Sequence, residues 1–401
     1  MGKNEKKQWD VIVIGAGASG MMTAITAAKN GKKVLILEKL DKAGKKLLAT
    51  GNGKCNFTNK TMSTECFYGD DAFVSGVLDT FSVDDALEFF HSIGIYPKTK
   101  NGYVYPNSEQ AASVVTALLD ELYRLKVSVH YGINITDISS NNYGVTIKTT
   151  TELYSCKKIV IATGLKAAPK LGSDGSLFHI IKRLGHRFEP VLPALCGFYC
   201  KGLDFKKIAG VRAHGTVIAY INGIELARDT GEIQFTDYGL SGIPVFQISR
   251  HLSKGLYQKT NVEIGINLLP DFDKETLLNE LNYRKTNLHE NHPERLLNGL
   301  LNQKLADMIM GHLSSKSDLV AIVENIQNTK VVVTNFRDYE FAQVCMGGIP
   351  VQDIDTITLE SKFAPNVHFA GEIIDVDGIC GGYNLHFAWA TGHIAGTAVS
   401  K

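Results

Sequence analysis

The run Val11-Ile12-Val13-Ile14-Gly15-Ala16-Gly17-Ala18-Ser19-Gly20 passes from an apolar strand through a glycine turn into a helix. A second apolar run, Val34-Leu35-Ile36-Leu37, ends at Glu38. Strand, G-x-G-x-x-G turn, helix, strand and acid in this order form the fingerprint of a dinucleotide-binding βαβ unit. Gly15 permits the tight turn, Gly17 and its neighbours Ala18 and Ser19 bring backbone to a pyrophosphate, and Gly20 lets helix and strand meet closely. Helix-start N–H groups attract the phosphates, while Glu38 accepts hydrogen bonds from a ribose diol. A glycine turn alone, among 38 glycines, would say little. The flanking strands and the acid make the chain a binder of an adenine dinucleotide.

At 401 residues the chain exceeds one ordinary domain of about 100–150 residues, so two or three are expected. Hydrophobic residues make up 44% and charged residues 21%, the balance of a soluble globular protein. The 42 basic and 41 acidic side chains leave a net charge of +1, which gives no electrostatic case for nucleic acid or an anionic membrane. The apolar run behind Lys3, Lys6 and Lys7 is too short for a signal peptide or a membrane span, so a cytoplasmic location is expected. The seven cysteines, odd in number and without a C-x-x-C pair, argue against a disulfide framework, a zinc ribbon or a redox dithiol. Cys196 and Cys200 read as buried thiols, and His386 and His393 as packing residues; no metal is expected.

Along the chain, Ser82 to Ser92 has helical periodicity, with Ser82 as N-cap and Asp85 in the capping position. A longer helix follows, capped by Asn107 with Gln110 completing a capping box and Val114, Leu118, Leu122 and Leu125 on one face. Val127 to Ile138 reads as one strand, Val145 to Tyr154 as a hairpin strand, and Lys157 to Gly164 as a buried strand ending in a small-residue turn. From about Pro190 the texture changes. Gly215 to Ile221, Glu232 to Phe235 and Val262 to Leu268 suggest a small antiparallel sheet or barrel, and Asp273 to Ile326 is helical and polar. After Val344 the αβ character returns, with a strand at Val367 to Ala370 and a last helix from about Asn384. The expected division is a cofactor domain in two parts, 1–190 and 344–401, interrupted by an inserted substrate or cover domain, 191–343.

Four separated segments carry the chemistry. The fingerprint is the first. The second, from Gly44 to Asn59, is dense in glycine, lysine and amides and offers donors to phosphates and to a polar ring edge. Ala162-Thr163-Gly164, at a strand end on the binding side of a doubly wound sheet, is the third. In the fourth, Gly371 to Asn384, the strand-end acid Glu372 can bind a polyol chain. Beyond it a glycine turn starts a helix whose N-terminus can face a pyrimidine carbonyl. A nicotinamide dehydrogenase needs no second cradle at the far end of the chain, whereas the longer FAD does. One G-x-G-x-x-G occurs, so no second Rossmann domain for NAD(P)H is evident.

The segments Thr50-Gly51-Asn52-Gly53-Lys54-Cys55-Asn56-Phe57-Thr58-Asn59 and Ala370 to Leu385 resemble the signatures of the BaiN/YhiN-like flavoproteins, a group that includes aminoacetone oxidases. Val344 to Ile349 and Glu360-Ser361-Lys362 match further positions, so the resemblance spans essentially the whole chain. It implies an α/β fold, a Rossmann FAD-binding domain of the glutathione-reductase type interrupted by an inserted β-barrel with a helical part at about 270–328. It places the ADP half of FAD at Gly15 to Gly20, Glu38 and Lys39. Thr50, Gly51, Asn52, Cys55, Asn56, Thr163, Gly164, Gly371, Glu372, Gly381, Gly382, Tyr383 and Asn384 would surround the remainder, and Lys46, Ile135, Ala162, Asp377 and Gly378 are further cofactor-binding candidates. Lys54 stands where the family usually carries Arg, and Leu165 where a second Gly is common.

The catalytic group is not determined by the sequence. Tyr383 and Asn384 are candidates at the flavin end, with Cys55, Tyr238 and His214 behind them, and Cys55 reads as a structural thiol. The leading expectation is an FAD-dependent oxidoreductase moving a hydride between a small or steroid-like substrate and flavin, with NADH or NADPH as a diffusible donor. An oxygen-using amine oxidase, an FAD-dependent RNA-modifying enzyme and a flavin-binding protein without turnover are the alternatives. A small-molecule substrate is expected as partner, without nucleic acid or membrane. The oligomeric state is open.

Overall fold

In a computed structural model, residues 9–288, 292–311, 313 and 315–401 are described. The chain divides into two compact units. One comprises the stretches up to Leu192 and from Gln343 to Lys401, and the other is Pro193–Ala342.

The first unit is built on a parallel sheet of strands Ser128–His130, Val34–Leu37, Trp9–Ile14, Leu153–Ile161 and Val367–Phe369, in that spatial order. The apolar runs lie in its middle because both of their faces are covered: Val11, Ile12 and Val13 pair with Val34, Leu35 and Ile36 on one side. On the other they pair with Lys158, Ile159 and Val160. Strands Ile135–Asn141 and Gly144–Thr149 form an antiparallel meander leading into the start of Leu153–Ile161.

Helix Ala18–Lys29 lies against the last helix, Tyr383–Ala398. Their backbones touch because Gly392 and Gly396 face them; a Cβ there would stand 2.6 Å from the Ser19 carbonyl oxygen and 2.7 Å from that of Thr23. Trp389, fully buried, donates its indole N–H to the Phe57 carbonyl at 3.0 Å and meets Phe90 edge-on.

In the second unit, strands Phe198–Lys201, Gly239–Ser241, Ile224–Phe235, Arg212–Ile221, Val262–Asn267 and Thr329–Phe336 close into a barrel. Helix Ile243–Tyr257 packs on it through Val245, Ile248 and Leu252. Helices Lys274–Asn287, Gln303–Gly311 and Leu319–Gln327 supply the helical part. Among the described residues no helix is long and apolar enough to cross a membrane.

Three sequence expectations need correction. Val145 to Tyr154 is not one strand: Gly144–Thr149 ends in a turn closed by the Thr149 N–H on the Glu152 carbonyl, and Leu153–Ile161 starts after it. Val127 to Ile138 is two strands, because the chain turns at Gly132 (φ +71°), where Gly132 N–H and Ile133 N–H bond the carbonyls of Leu40 and Glu38. Gln110, not Asn107, caps helix Ala111–Arg124, and no side chain closes that cap. The Asn107 N–H is instead spent on the Tyr96 carbonyl. Helix Ile243–Tyr257 was not read from the sequence, although Pro244 in its first turn and Val245, Ile248 and Leu252 at helical spacing mark it.

Candidate active site

The glycine turn has the geometry its spacing requires. Gly15 takes φ +102°, and a Cβ on it would stand 2.7 Å from the Ala162 carbonyl oxygen. At Gly20 a Cβ would fall 1.9 Å from the Gly15 carbonyl oxygen, so only glycine fits that crossing. Gly17, the N-cap of Ala18–Lys29, differs: nothing in the protein lies within 4 Å of where its Cβ would be. Backbone there is bare at a helix N-terminus, the cradle a phosphate group fills.

Glu38 is buried beneath this turn. Its carboxylate accepts the Ala16 N–H at 2.7 Å and the Leu40 N–H at 2.8 Å, so the acid fixes the turn while keeping lone pairs for a ribose. Lys39 next to it is ion-paired with Asp174. Ile135 begins the outer strand of the meander, two residues beyond Ile133, whose N–H bonds the Glu38 carbonyl.

The four segments converge within this one unit. Ser19 Oγ donates to the Ala370 carbonyl at 3.3 Å, and a Cβ on Gly371 would sit 2.4 Å from Ser19 Oγ. Glu372 is shared. One oxygen meets Lys46 Nζ at 2.7 Å, the other accepts the Cys345 N–H at 2.7 Å. A Cβ on Gly164 would lie 3.2 Å from Glu372 Oε2 and 2.5 Å from Ser173 Oγ, which holds the Thr163–Gly164 turn close to that acid. Asn59 Nδ2 donates to the Gly381 carbonyl at 2.9 Å. Gly382, at φ +93°, leaves no room for a side chain against the Thr58 carbonyl oxygen, 2.7 Å away from a Cβ there.

The turn Thr50–Gly53 opens this cradle outward. Gly51, Asn52 and Gly53 all have positive φ, and Cys55 follows at φ +59°. The Cys55 thiol is fully buried, which pushes its pKa up to about 12, so it stays protonated and is no nucleophile. Asn56 Oδ1 accepts the Val104 N–H at 3.2 Å. Lys54, in the position of the family's arginine, pairs with Glu109 at 2.9 Å, and Lys98 holds the same carboxylate at 2.6 Å. The two lysines hold the Glu109 carboxyl down to about 2.

Asp377 and Gly378 pair with Tyr68 and Phe67. The Asn384 amide is committed to this turn: its Oδ1 accepts the Gly378 N–H at 2.8 Å and its Nδ2 donates to the Gly378 carbonyl at 2.7 Å. Tyr383 is buried edge-on to Phe67, its hydroxyl 3.4 Å from Thr61 Oγ1 and from the Thr61 carbonyl oxygen. Both side chains shape the start of the last helix. Tyr383→Phe is expected to keep FAD and turn over at the wild-type rate. Asn384→Ala, which strips both bonds from Gly378, is expected to lose about 1–3 kcal/mol of stability in denaturant titration. A turnover loss of tenfold or more in Tyr383→Phe with flavin retained would contradict this.

His386 bonds Thr58 Oγ1 at 2.9 Å through Nδ1 and the Phe81 carbonyl at 3.1 Å through Nε2, and His393 lies against the Phe81 ring. Burial pushes the His386 imidazole down to about 4, against an ordinary value near 6.5. Its folded pKa is depressed, so its contribution to stability is complete above about pH 6.5 and is lost as pH falls toward about 4, with a ceiling of about 3 kcal/mol. The midpoint of thermal unfolding is expected to drop across that window, and less steeply in His386→Asn. Parallel curves for the two proteins would contradict the assignment.

Of the remaining sequence candidates, Tyr238 and His214 lie in the barrel unit. His214 is exposed on strand Arg212–Ile221, and Tyr238 accepts a hydrogen bond from Arg337. All seven cysteines are free thiols. Sequence reasoning missed Ser173, which no local pattern marks, and the Lys46–Glu372 pair, whose members are 326 positions apart.

Fold and site together define a Rossmann dinucleotide-binding protein of the flavoprotein class. Residues 9–398 match the family described as HI0933-like protein Rossmann domain, so the chain belongs to that family, the BaiN/YhiN type of flavoprotein. It is an FAD-dependent oxidoreductase. The chain is 38% identical to a 3-dehydro-bile acid delta(4,6)-reductase of Clostridium scindens, over 97% of this chain and 98% of that one. It is 30% identical to a ribosomal RNA dihydrouridine synthase of Escherichia coli over 96% of each chain. Among solved structures it resembles a 3-ketosteroid-delta4-(5alpha)-dehydrogenase of Rhodococcus jostii, with TM-score 0.53 and 15% identity, covering 99% of this chain and 98% of that one. That likeness speaks for the fold.

Proposed function

We propose that this protein reduces a carbon–carbon double bond conjugated to a carbonyl in a steroid-like molecule, drawing electrons from NADH or NADPH. The observation that carries the reading is the 38% identity, over nearly the full length of both chains, to a reductase of an unsaturated bile acid. In the overall reaction NAD(P)H and one proton are consumed, the double bond gains two hydrogens, and NAD(P)+ leaves. Bound FAD supplies the hydride chemistry.

The residues do the holding. The Gly15–Gly20 turn and the helix start at Ala18 would take the phosphates, Glu38 the ribose, and the Lys46–Glu372 pair the polyol. The start of helix Tyr383–Ala398, shaped by Gly381 and Gly382, would present backbone N–H groups to the pyrimidine edge. Conjugation matters for the substrate. Hydride arriving at the β carbon leaves negative charge on the carbonyl oxygen, which a fixed donor must stabilise.

A second reading has its own support, the 30% identity over 96% of each chain to a dihydrouridine synthase. The uracil C5=C6 bond is also conjugated to a carbonyl, so one chemistry serves both. The net charge of +1 weighs against an RNA substrate, because phosphate neutralisation dominates nucleic-acid affinity. The test is to offer the reduced protein, without oxygen, a 3-oxo-4,6-diene steroid acid and a uridine-containing ribosomal RNA transcript in separate reactions. The steroid is expected to gain two hydrogens by mass spectrometry. Dihydrouridine in the transcript with an untouched steroid would transfer the reading to RNA. Conversion of neither would overturn both.

A further inference from the structure

We infer that Tyr105 delivers the proton of the proposed reduction, its phenolic hydrogen going to the substrate carbon beside the carbonyl. The assignment deepens the reductase reading and rests on it. Tyr105 lies on strand Tyr103–Pro106, where Val104 and Pro106 are buried and the two tyrosines face the other way. That face meets the two segments proposed for the flavin end of FAD. The Tyr105 ring lies 3.8 Å from where a Cβ on Gly51 would be, and the Tyr103 ring 3.1 Å from where one on Gly381 would be. Val104 fixes the strand there: its N–H donates to Asn56 Oδ1 at 3.2 Å, and its carbonyl accepts the Phe57 N–H at 3.0 Å.

A general acid must be protonated, uncommitted and within reach of the reacting bond. The Tyr383 hydroxyl is taken up at Thr61, and the Cys55 thiol is sealed from any ligand. Among the described residues the Tyr105 hydroxyl has no hydrogen-bond partner, although its ring is half-buried. The ionisable groups around it are the Cys380 thiol, the Lys54 ammonium and the Glu109 carboxylate, which also holds Lys98. Burial, with Cys380 and Glu109, pushes the phenol above its ordinary value against the opposing pull of Lys54, so it is protonated at neutral pH. After the proton has left, the Lys54 charge favours the phenolate. In the step itself, hydride bonds to the β carbon and the electron pair of the double bond shifts toward the carbonyl oxygen. The Tyr105 O–H bond breaks, a C–H bond forms at the α carbon, and the carbonyl is restored. Water returns a proton to the phenolate, which is the one proton of the overall reaction.

The test is rapid mixing without oxygen. FAD-loaded protein, reduced with dithionite so that no pyridine nucleotide is needed, meets the 3-oxo-4,6-diene steroid acid, and the return of oxidised flavin absorbance is timed. Wild type, Tyr105→Phe and a protein with 3,5-difluorotyrosine in place of Tyr105 are compared. Tyr105→Phe is expected to keep its FAD and to return its absorbance at least about a hundredfold more slowly, the low end of what a positioned acid contributes. Its affinity for the saturated steroid product, read from the perturbed visible spectrum of oxidised flavin, is expected to match wild type, because the proton transfer belongs to the transition state alone. The wild-type rate is expected to fall as rising pH ionises the phenol, and the fluorinated phenol, a stronger acid, to move that fall to lower pH. Tyr105→Phe as fast as wild type would overturn the assignment. So would a pH profile that the fluorinated residue leaves in place, which would pass the role to another group, Cys380 first. The fluorinated protein keeps the ring against Gly51, so its profile decides the matter even where Tyr105→Phe folds poorly. A wild type whose flavin the steroid leaves reduced would overturn the reductase reading and this assignment with it. A fast Tyr105→Phe beside an active wild type would overturn this assignment alone.

Discussion

Gly20→Ala will leave a protein that unfolds more readily and carries no FAD, whereas Gly17→Ala will fold as well as the wild type and still lose FAD. At Gly20 the added methyl would stand 1.9 Å from a backbone oxygen of Gly15, which is itself fixed by its left-handed turn against the Ala162 carbonyl. Neither backbone segment can step aside, and the expected cost is about 3 kcal/mol, the upper part of the range for overpacking. At Gly17 the methyl meets nothing in the protein within 4 Å. Its only cost falls on a group brought to that helix N-terminus, so FAD affinity is expected to fall at least about tenfold, the weight of about one hydrogen bond to a charged group. Visible flavin absorbance after gel filtration and the thermal midpoint measure both. A stable Gly17→Ala that keeps its flavin would move the phosphates away from this turn.

Trp389→Ala is expected to be the most damaging change away from the glycine turn, at about 3–5 kcal/mol in denaturant titration. The indole is fully buried, lies edge-on to Phe90, and is bonded to the Phe57 carbonyl. The consequence reaches the site, because three consecutive residues of the cradle hang from the last helix and its leading turn. Phe57 is held by Trp389, Thr58 by His386 and Asn59 by Gly381. FAD retention should therefore fall together with stability. Trp389→Phe keeps most of the packing but leaves the Phe57 carbonyl unpaired, at about 1–3 kcal/mol. An alanine variant within about 1 kcal/mol of wild type would contradict this account of how the segment is positioned.

The parts of the molecule that were legible in the sequence are those specified locally. The βαβ unit follows from glycine geometry and short apolar runs, and the reciprocal Ser82–Asp85 box does cap helix Val83–Ser92. The break at Gly132 was missed because the alternation of Val127 to Ile138 continues through it, while the turn is imposed by hydrogen bonds to Leu40 and Glu38, far away in sequence. The site was legible as four segments and not as an arrangement. That Glu38 would tie the turn through Ala16 N–H, or that Glu372 would be shared by Lys46 and Cys345, depends on contacts between distant residues.

The visible spectrum of the purified protein, recorded in the absence of oxygen, decides whether it is an FAD-dependent reductase of a conjugated double bond, as proposed. NADH, then NADPH, is added, followed by a 3-oxo-4,6-diene steroid acid. An oxidised flavin spectrum that bleaches with a pyridine nucleotide and returns in proportion to the steroid added is the expected result. A protein that shows no flavin spectrum after reconstitution with FAD, or a bleached flavin that the steroid leaves bleached, would contradict it.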